Sequence, residues 1–152
     1  MKTLKVKDRE IPLRIYSRYI NMIQEKLPED MPISQAVIEA MSDPVKVAVP
    51  FLWGVLQDRN SDEIVPINKA YELFDDLVDL GKTPGDFSKI VLDICHASGF
   101  FDQSGYDAMT AYIDKIAAIQ KNAAVELRVK ALEKAETPKK PKPKPKTKLS
   151  AN

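Results

Sequence analysis

Residues 45–56 read VKVAVPFLWGVL, a run with a single charge at Lys46. A segment apolar on every side must be enclosed by other elements, so whatever this chain folds into is built around it. The valines admit a strand. The run is long, however, and Pro50 has no N–H to give to a sheet ladder, so a buried helix is the better reading. Pro50 should kink that helix or divide it in two. Trp53 lies in the same run; its bulk makes core its first role and a partner groove its second.

What would enclose the run is written on both sides of it. Tyr16, Tyr19, Ile20, Ile23 and Leu27 follow helical spacing after Ser17, a possible N-cap, and Pro28 stops that helix. Ser34 is placed to cap a second helix with Val37, Ile38 and Met41 inward. Pro44 suits the first turn of the central helix. QDRNSDEIVP reads as a polar surface loop. A helix over about Ile67–Leu80 then presents Tyr71, Phe74, Leu77 and Val78 inward and ends at Gly81. Thr83-Pro84 starts the next helix, with Asp86 in its first turn, the stripe Phe87, Ile90, Val91, Ile94 and Cys95, and an end at Gly99. The last helix is expected from about Gly105 to Ala135 on Tyr106, Met109, Ile113, Ile116 and Ala117. Its stripe fades after Ile119, so a helix this long extends past the body or packs on a partner.

The N-terminal KTLKVKDREIPLRI alternates like two short strands, Leu4 and Val6 on one face and Ile11, Leu13 and Ile15 on another. A tight turn near Lys7-Asp8-Arg9 joins them, although no Gly or Asn signals it. Pro12 argues for a free edge on the second strand. At the other end, six lysines and one glutamate between Glu136 and Asn152 give that segment a net charge of +5, so the whole-chain +1 leaves about −4 on residues 1–135. ETPKKPKPKPKTKLSAN should be extended and solvated. The fold class expected is therefore a mainly α-helical single domain over residues 1–135, with a short N-terminal β-hairpin and a disordered Lys/Pro-rich tail over 136–152. The start carries no apolar leader, no run is long enough to span a membrane, and the single Cys95 cannot form an internal disulfide, so a cytosolic setting is expected.

Chemistry is hard to find. Gly81-Lys82-Thr83 suggests a phosphate loop, but the required earlier glycine position holds Asp76 and Pro84 removes an amide. Asp58, Asn60 and Asp62 have calcium-loop spacing, yet the glycine position holds Glu63 and the twelfth position holds Lys69. Asp75, Asp76 and Asp79 read as the wet face of a helix. Cys95 and His96 are adjacent on a helix and do not face each other. No nucleophile motif is present. No catalytic, cofactor or metal residue is assigned, and an enzyme is not expected. The Lys-Pro tail could touch phosphates without reading sequence, but it has no aromatic for stacking. The candidate partner-binding residues are Phe100 and Phe101, two adjacent rings that one core cannot easily take, together with Trp53.

The order KTLKVKDREIPLRI, SRYINMIQEKL, DPVKVAVPFLWGVL, YELFDDLVDLG and FSKIVLDICHASGFF resembles the tail assembly chaperones of long-tailed, siphovirus-like phages and prophages. The likeness covers about residues 3 to 101 and rests on apolar patterns. The family's hairpin turn, x-N-G-K-E-x, would correspond here to Lys7-Asp8-Arg9-Glu10, which has no glycine. The resemblance implies a chaperone without catalytic residues or cofactors, acting in the host cytoplasm. It would bind and solubilise the tape-measure protein, help recruit major tail-tube subunits, form a homo-oligomer and be absent from the finished virion. The alternatives are a phage structural or head–tail joining protein, or a nucleic-acid-binding module acting through the basic tail.

Overall fold

The computed structural model describes residues 2–136, so the Lys/Pro-rich tail lies almost wholly outside the described residues. The chain forms a two-stranded antiparallel hairpin followed by helices. Strands β1 (Thr3–Val6) and β2 (Arg9–Pro12) precede a 3-10 turn (Ser17–Tyr19) and helices α1 (Ile20–Lys26), α2 (Ile33–Ser42), α3 (Pro44–Val55), α4 (Ile67–Asp79), α5 (Pro84–Ala97) and α6 (Gln103–Glu136). Among the described residues, no helix is long and apolar enough to cross a membrane. The chain divides into two compact units, one reaching Asp114 and one starting at Lys115 within α6.

In the first unit the apolar run forms α3, and Val47 through Val55 are all buried. α3 packs against α1, α2, α4 and α5, and α2 lies along α5. Pro50 does not divide the helix, which is continuous from Pro44 to Val55. What Pro50 removes is one hydrogen bond, the donor that would reach the Lys46 carbonyl. Gly54 gives α3 its close approach: a Cβ there would stand 2.4 Å from Ile23 Cδ1 and 3.0 Å from Ile15 Cγ1. Asp43 caps the helix by accepting from the Lys46 amide at 3.3 Å.

The boundary signals around α5 act as expected. Thr83 and Asp86 form a reciprocal capping box, the Thr83 amide donating to Asp86 Oδ2 at 2.8 Å and the Asp86 amide to Thr83 Oγ1 at 3.3 Å. At the other end Gly99 has φ +89, the Phe100 amide reaches the Cys95 carbonyl at 2.8 Å and the Gly99 amide reaches His96 O at 3.2 Å. This is a Schellman closure, and Gly81 (φ +93) repeats it at the end of α4. Nothing lies within 4 Å of a Cβ built on Gly99. Gly99→Ala should therefore cost only the left-handed backbone penalty, about 1–2 kcal/mol, read by denaturant unfolding; a loss near zero would mean that the corner relaxes out of this conformation.

Several expectations need correcting. Ser17 and Ser34 cap nothing: Ser17 begins the 3-10 turn, and α2 starts one residue before Ser34 with Pro32 at its cap position. In α4 the buried residues are Ala70, Leu73, Phe74 and Leu77, whereas Tyr71 and Val78 are about half exposed. Both arcs have helical spacing; contact with α3 selects the one that is used. Gln57, assigned to a polar surface loop, is 4% exposed and brackets that loop. Its Nε2 donates to Trp53 O at 3.0 Å and Val65 O at 3.2 Å, and its Oε1 accepts from the Val65 amide at 2.9 Å.

The hairpin forms without a glycine. Leu4 pairs with Ile11 and Val6 with Arg9, leaving the two-residue turn Lys7-Asp8 with Lys7 at φ +56. Val6, Ile11, Leu13 and Ile15 are buried. Three bonds tie this ribbon to the helices: Lys2 to Asp93 at 3.2 Å, Lys7 to Asp76 at 3.0 Å, and the Ile15 amide to Ser98 Oγ at 2.8 Å. The Lys7 pair is largely exposed and adds little energy. Burial of the apolar face is what holds a ribbon that would be marginal alone.

In the second unit, α6 from Lys115 onward is described by itself. Ile116 and Ala117 are partly covered, and every residue from Ala118 through Glu133 is exposed.

Candidate interaction surface

Phe100 and Phe101 sit between two well-made termini. Gly99 closes α5, and Asp102 opens α6 by accepting from the Gly105 amide at 2.8 Å. The two rings therefore leave the helical path at a fixed corner, and both are partly exposed. Phe100 borders a narrow apolar cleft with Ile15, Ile20, Ile23, Ile33 and Phe51. Phe101 lies against Gly105, where a Cβ would stand 3.4 Å from the ring. The pair thus divides its area between body and solvent.

Trp53 takes the first of its two expected roles, core, in place of the second, a partner groove. Its side chain is 3% exposed and its indole N–H donates to Val65 O at 2.6 Å. α3 is surrounded on too many sides to leave the indole for a partner, so Trp53 belongs to the core. Trp53 and Gln57 converge on the Val65 carbonyl and so pin the 57–66 loop to α3.

A groove missed by the sequence reading opens beside this core. The end of α1 supplies Lys26 and Leu27, α3 supplies Val45, Lys46, Val49 and Pro50, and α4 supplies Ile67 and Tyr71. Its volume is about 480 Å³. Val45 and Tyr71 are 45% and 48% exposed, large apolar area left in water. The Lys46 carbonyl, which Pro50 deprives of its helical donor, belongs to a residue lining this groove. Chemically the groove offers an apolar floor and two ammonium groups. Only the exposed half of the α4 arc, Tyr71, signalled it in the sequence, and there it was assigned inward.

A polar cluster lies at the hairpin's start. Asp93 Oδ1 accepts from Lys2 Nζ at 3.2 Å and from the Tyr106 hydroxyl at 2.6 Å. The Lys2 ammonium stands 3.7 Å from the Tyr106 ring centroid, and His96 stacks on the same ring with centroids 4.4 Å apart. Burial pulls the Lys2 pKa down, but the hydrogen bonds of Tyr106 and Asp93 and the Asp93 charge outweigh it and hold the ammonium above its ordinary value. His96 Nδ1 is buried and has no hydrogen-bond partner among the described residues. The neighbouring Cys95 is fully buried, and burial pushes its thiol up to about 12, so it carries no thiolate at neutral pH. The arrangement clamps the hairpin to α5 and the start of α6. Its Lys2–Asp93 pair alone joins residues 91 positions apart, beyond the reach of local spacing.

The motifs weighed for ligands have structural employment. Gly81 and Thr83 of the GKT stretch serve a helix end and a helix start. In the Asp58–Asp62 loop, Asp58 Oδ1 accepts from the Asn60 amide at 2.9 Å, Tyr19 donates to Asp58 O at 2.7 Å and Arg18 to Ser61 O at 3.3 Å. Among the described residues no three His, Cys, Asp or Glu side chains are grouped to hold a metal ion. Compared with known proteins, the chain matches no family model, no curated sequence and no solved structure.

Proposed function

We propose that this protein is a phage tail assembly chaperone that binds an amphipathic helical segment of the tape-measure protein and keeps it soluble. The observation that carries the reading is the groove between α1, α3 and α4: an apolar floor with half-exposed Val45 and Tyr71 at its mouth and Lys26 and Lys46 beside it. A groove between helices takes a helix through anchors spaced three or four residues apart. Covering such a stripe removes apolar area from water, which is what prevents a long exposed helix from aggregating. The resemblance in the order of elements supports this choice of partner, and the groove is where this reading puts it. The protein would act in many copies in the host cytoplasm and leave before the tail is complete.

The test is co-expression with a tape-measure candidate from the same genome, followed by size-exclusion chromatography at low salt and at about 0.5 M salt, where charge contacts are screened to a few ångströms. A shared peak at both salt levels and a gain in the partner's solubility are expected. A peak that vanishes at high salt would assign binding to charge, including the lysine tail, and would overturn the groove reading. No shared peak and no gain in solubility would overturn the chaperone reading.

A further inference from the structure

α6 carries an exposed apolar seam flanked by charges of opposite sign. Ala118, Val125 and Leu132 recur every seven residues, and Asn122 and Val129 fall four residues after the first two of them. In heptad terms the first set occupies d and the second a. Val125, Val129 and Leu132 are 48%, 46% and 59% exposed, so this seam has no cover among the described residues. One flank, position g, holds Lys121 and Arg128; the other, position e, holds Ile119, Glu126 and Glu133.

We propose that residues 118–133 pair with the same residues of a second copy as a parallel, in-register two-stranded coiled coil. In that geometry a g residue meets the e residue five positions later on the other strand, which sets Lys121 against Glu126 of the second copy and the reverse. Arg128 and Glu133 have the same spacing; Glu133 already has an interaction in its own chain, and the proposal does not depend on it. Val129 at a followed by Leu132 at d favours two strands, and Asn122 at a fixes register at a cost in stability. The neighbouring apolar strip, Ala117, Ala124, Leu127 and Ala131, offers no such match. A parallel pairing there would set Ile116 against Lys121 and Ala123 against Arg128. Charge complementarity thus selects the seam, the orientation and the occupant, independently of what the groove holds.

Three measurements on the full chain test this. Sedimentation equilibrium should show a monomer–dimer equilibrium below about 0.2 mM, the micromolar-to-millimolar range suited to a short coil. Lys121→Glu and Glu126→Lys should each weaken association about tenfold (about 1.4 kcal/mol), and mixing the two variants should restore it in a heterodimer. Asn122→Cys should oxidise to a covalent dimer while Ala117→Cys does not, and the buried Cys95 leaves the introduced thiol as the reactive one. A monomer throughout that range, charge variants that associate like the native chain, or cross-linking at 117 in place of 122 would each overturn the proposal.

Discussion

Replacing Phe87 by alanine is expected to lower the unfolding free energy by about 3–5 kcal/mol, the range for emptying a buried aromatic site. Phe87 is 2% exposed and its ring stacks on Phe74, with centroids 4.3 Å apart and planes 14° from parallel. It belongs to the first turn of α5, where the Thr83–Asp86 capping box fixes the backbone, so the helix cannot easily shift to fill the space. Phe74, at 8% exposure, should cost somewhat less when truncated. The double variant should lose less than the two single losses together, because the ring–ring contribution of about 0.5–1.5 kcal/mol is removed only once. Denaturant unfolding measures all three; a loss below about 1 kcal/mol for Phe87→Ala would place that ring outside the core.

Gln57→Ala should cost about 2–4 kcal/mol, far more than a loop substitution. The change leaves the Val65 amide without its acceptor in a part-buried place and strips a donor from the Trp53 carbonyl. An unsatisfied buried group costs about 1–3 kcal/mol, and the lost packing adds to it. Gln57→Glu should be no rescue, because a carboxylate retains the acceptor for Val65 but cannot donate to either carbonyl, and it buries a charge. Asp62→Ala, a few residues away and fully exposed, should stay within about 0.5 kcal/mol. Comparable losses at 57 and 62 would show that the bracket does not hold the loop.

How much of this was legible depends on how local each signal is. α5 could be read from end to end, since Thr83, Pro84, Asp86 and Gly99 act through their own backbone neighbours. The apolar run of α3 was legible because an all-round apolar helix has one possible location. The turn of α4 about its own axis was not: Tyr71 and Val78 fit the period as well as Ala70 and Leu73 do, and only contact with α3 separates them. Gln57 looked like loop composition because its acceptors come from a carbonyl four residues back and a strand of loop eight residues on. Trp53 was assigned to both core and partner, and the surrounding helices resolve it to core. Apart from Tyr71, the groove left no mark in the sequence, since it exists only where three helices leave a gap. The Lys2–Asp93–Tyr106 clamp was illegible for the same reason.

If the groove between α1, α3 and α4 receives a helical partner, a double variant of its exposed mouth should abolish binding. Val45→Asp with Tyr71→Asp replaces two half-exposed side chains with charge, so the thermal melt should stay close to that of the native chain. Co-expressed with the tape-measure protein, this variant is expected to lose the shared size-exclusion peak and leave the partner insoluble. A native-like melt accompanied by an undiminished shared peak would contradict the account.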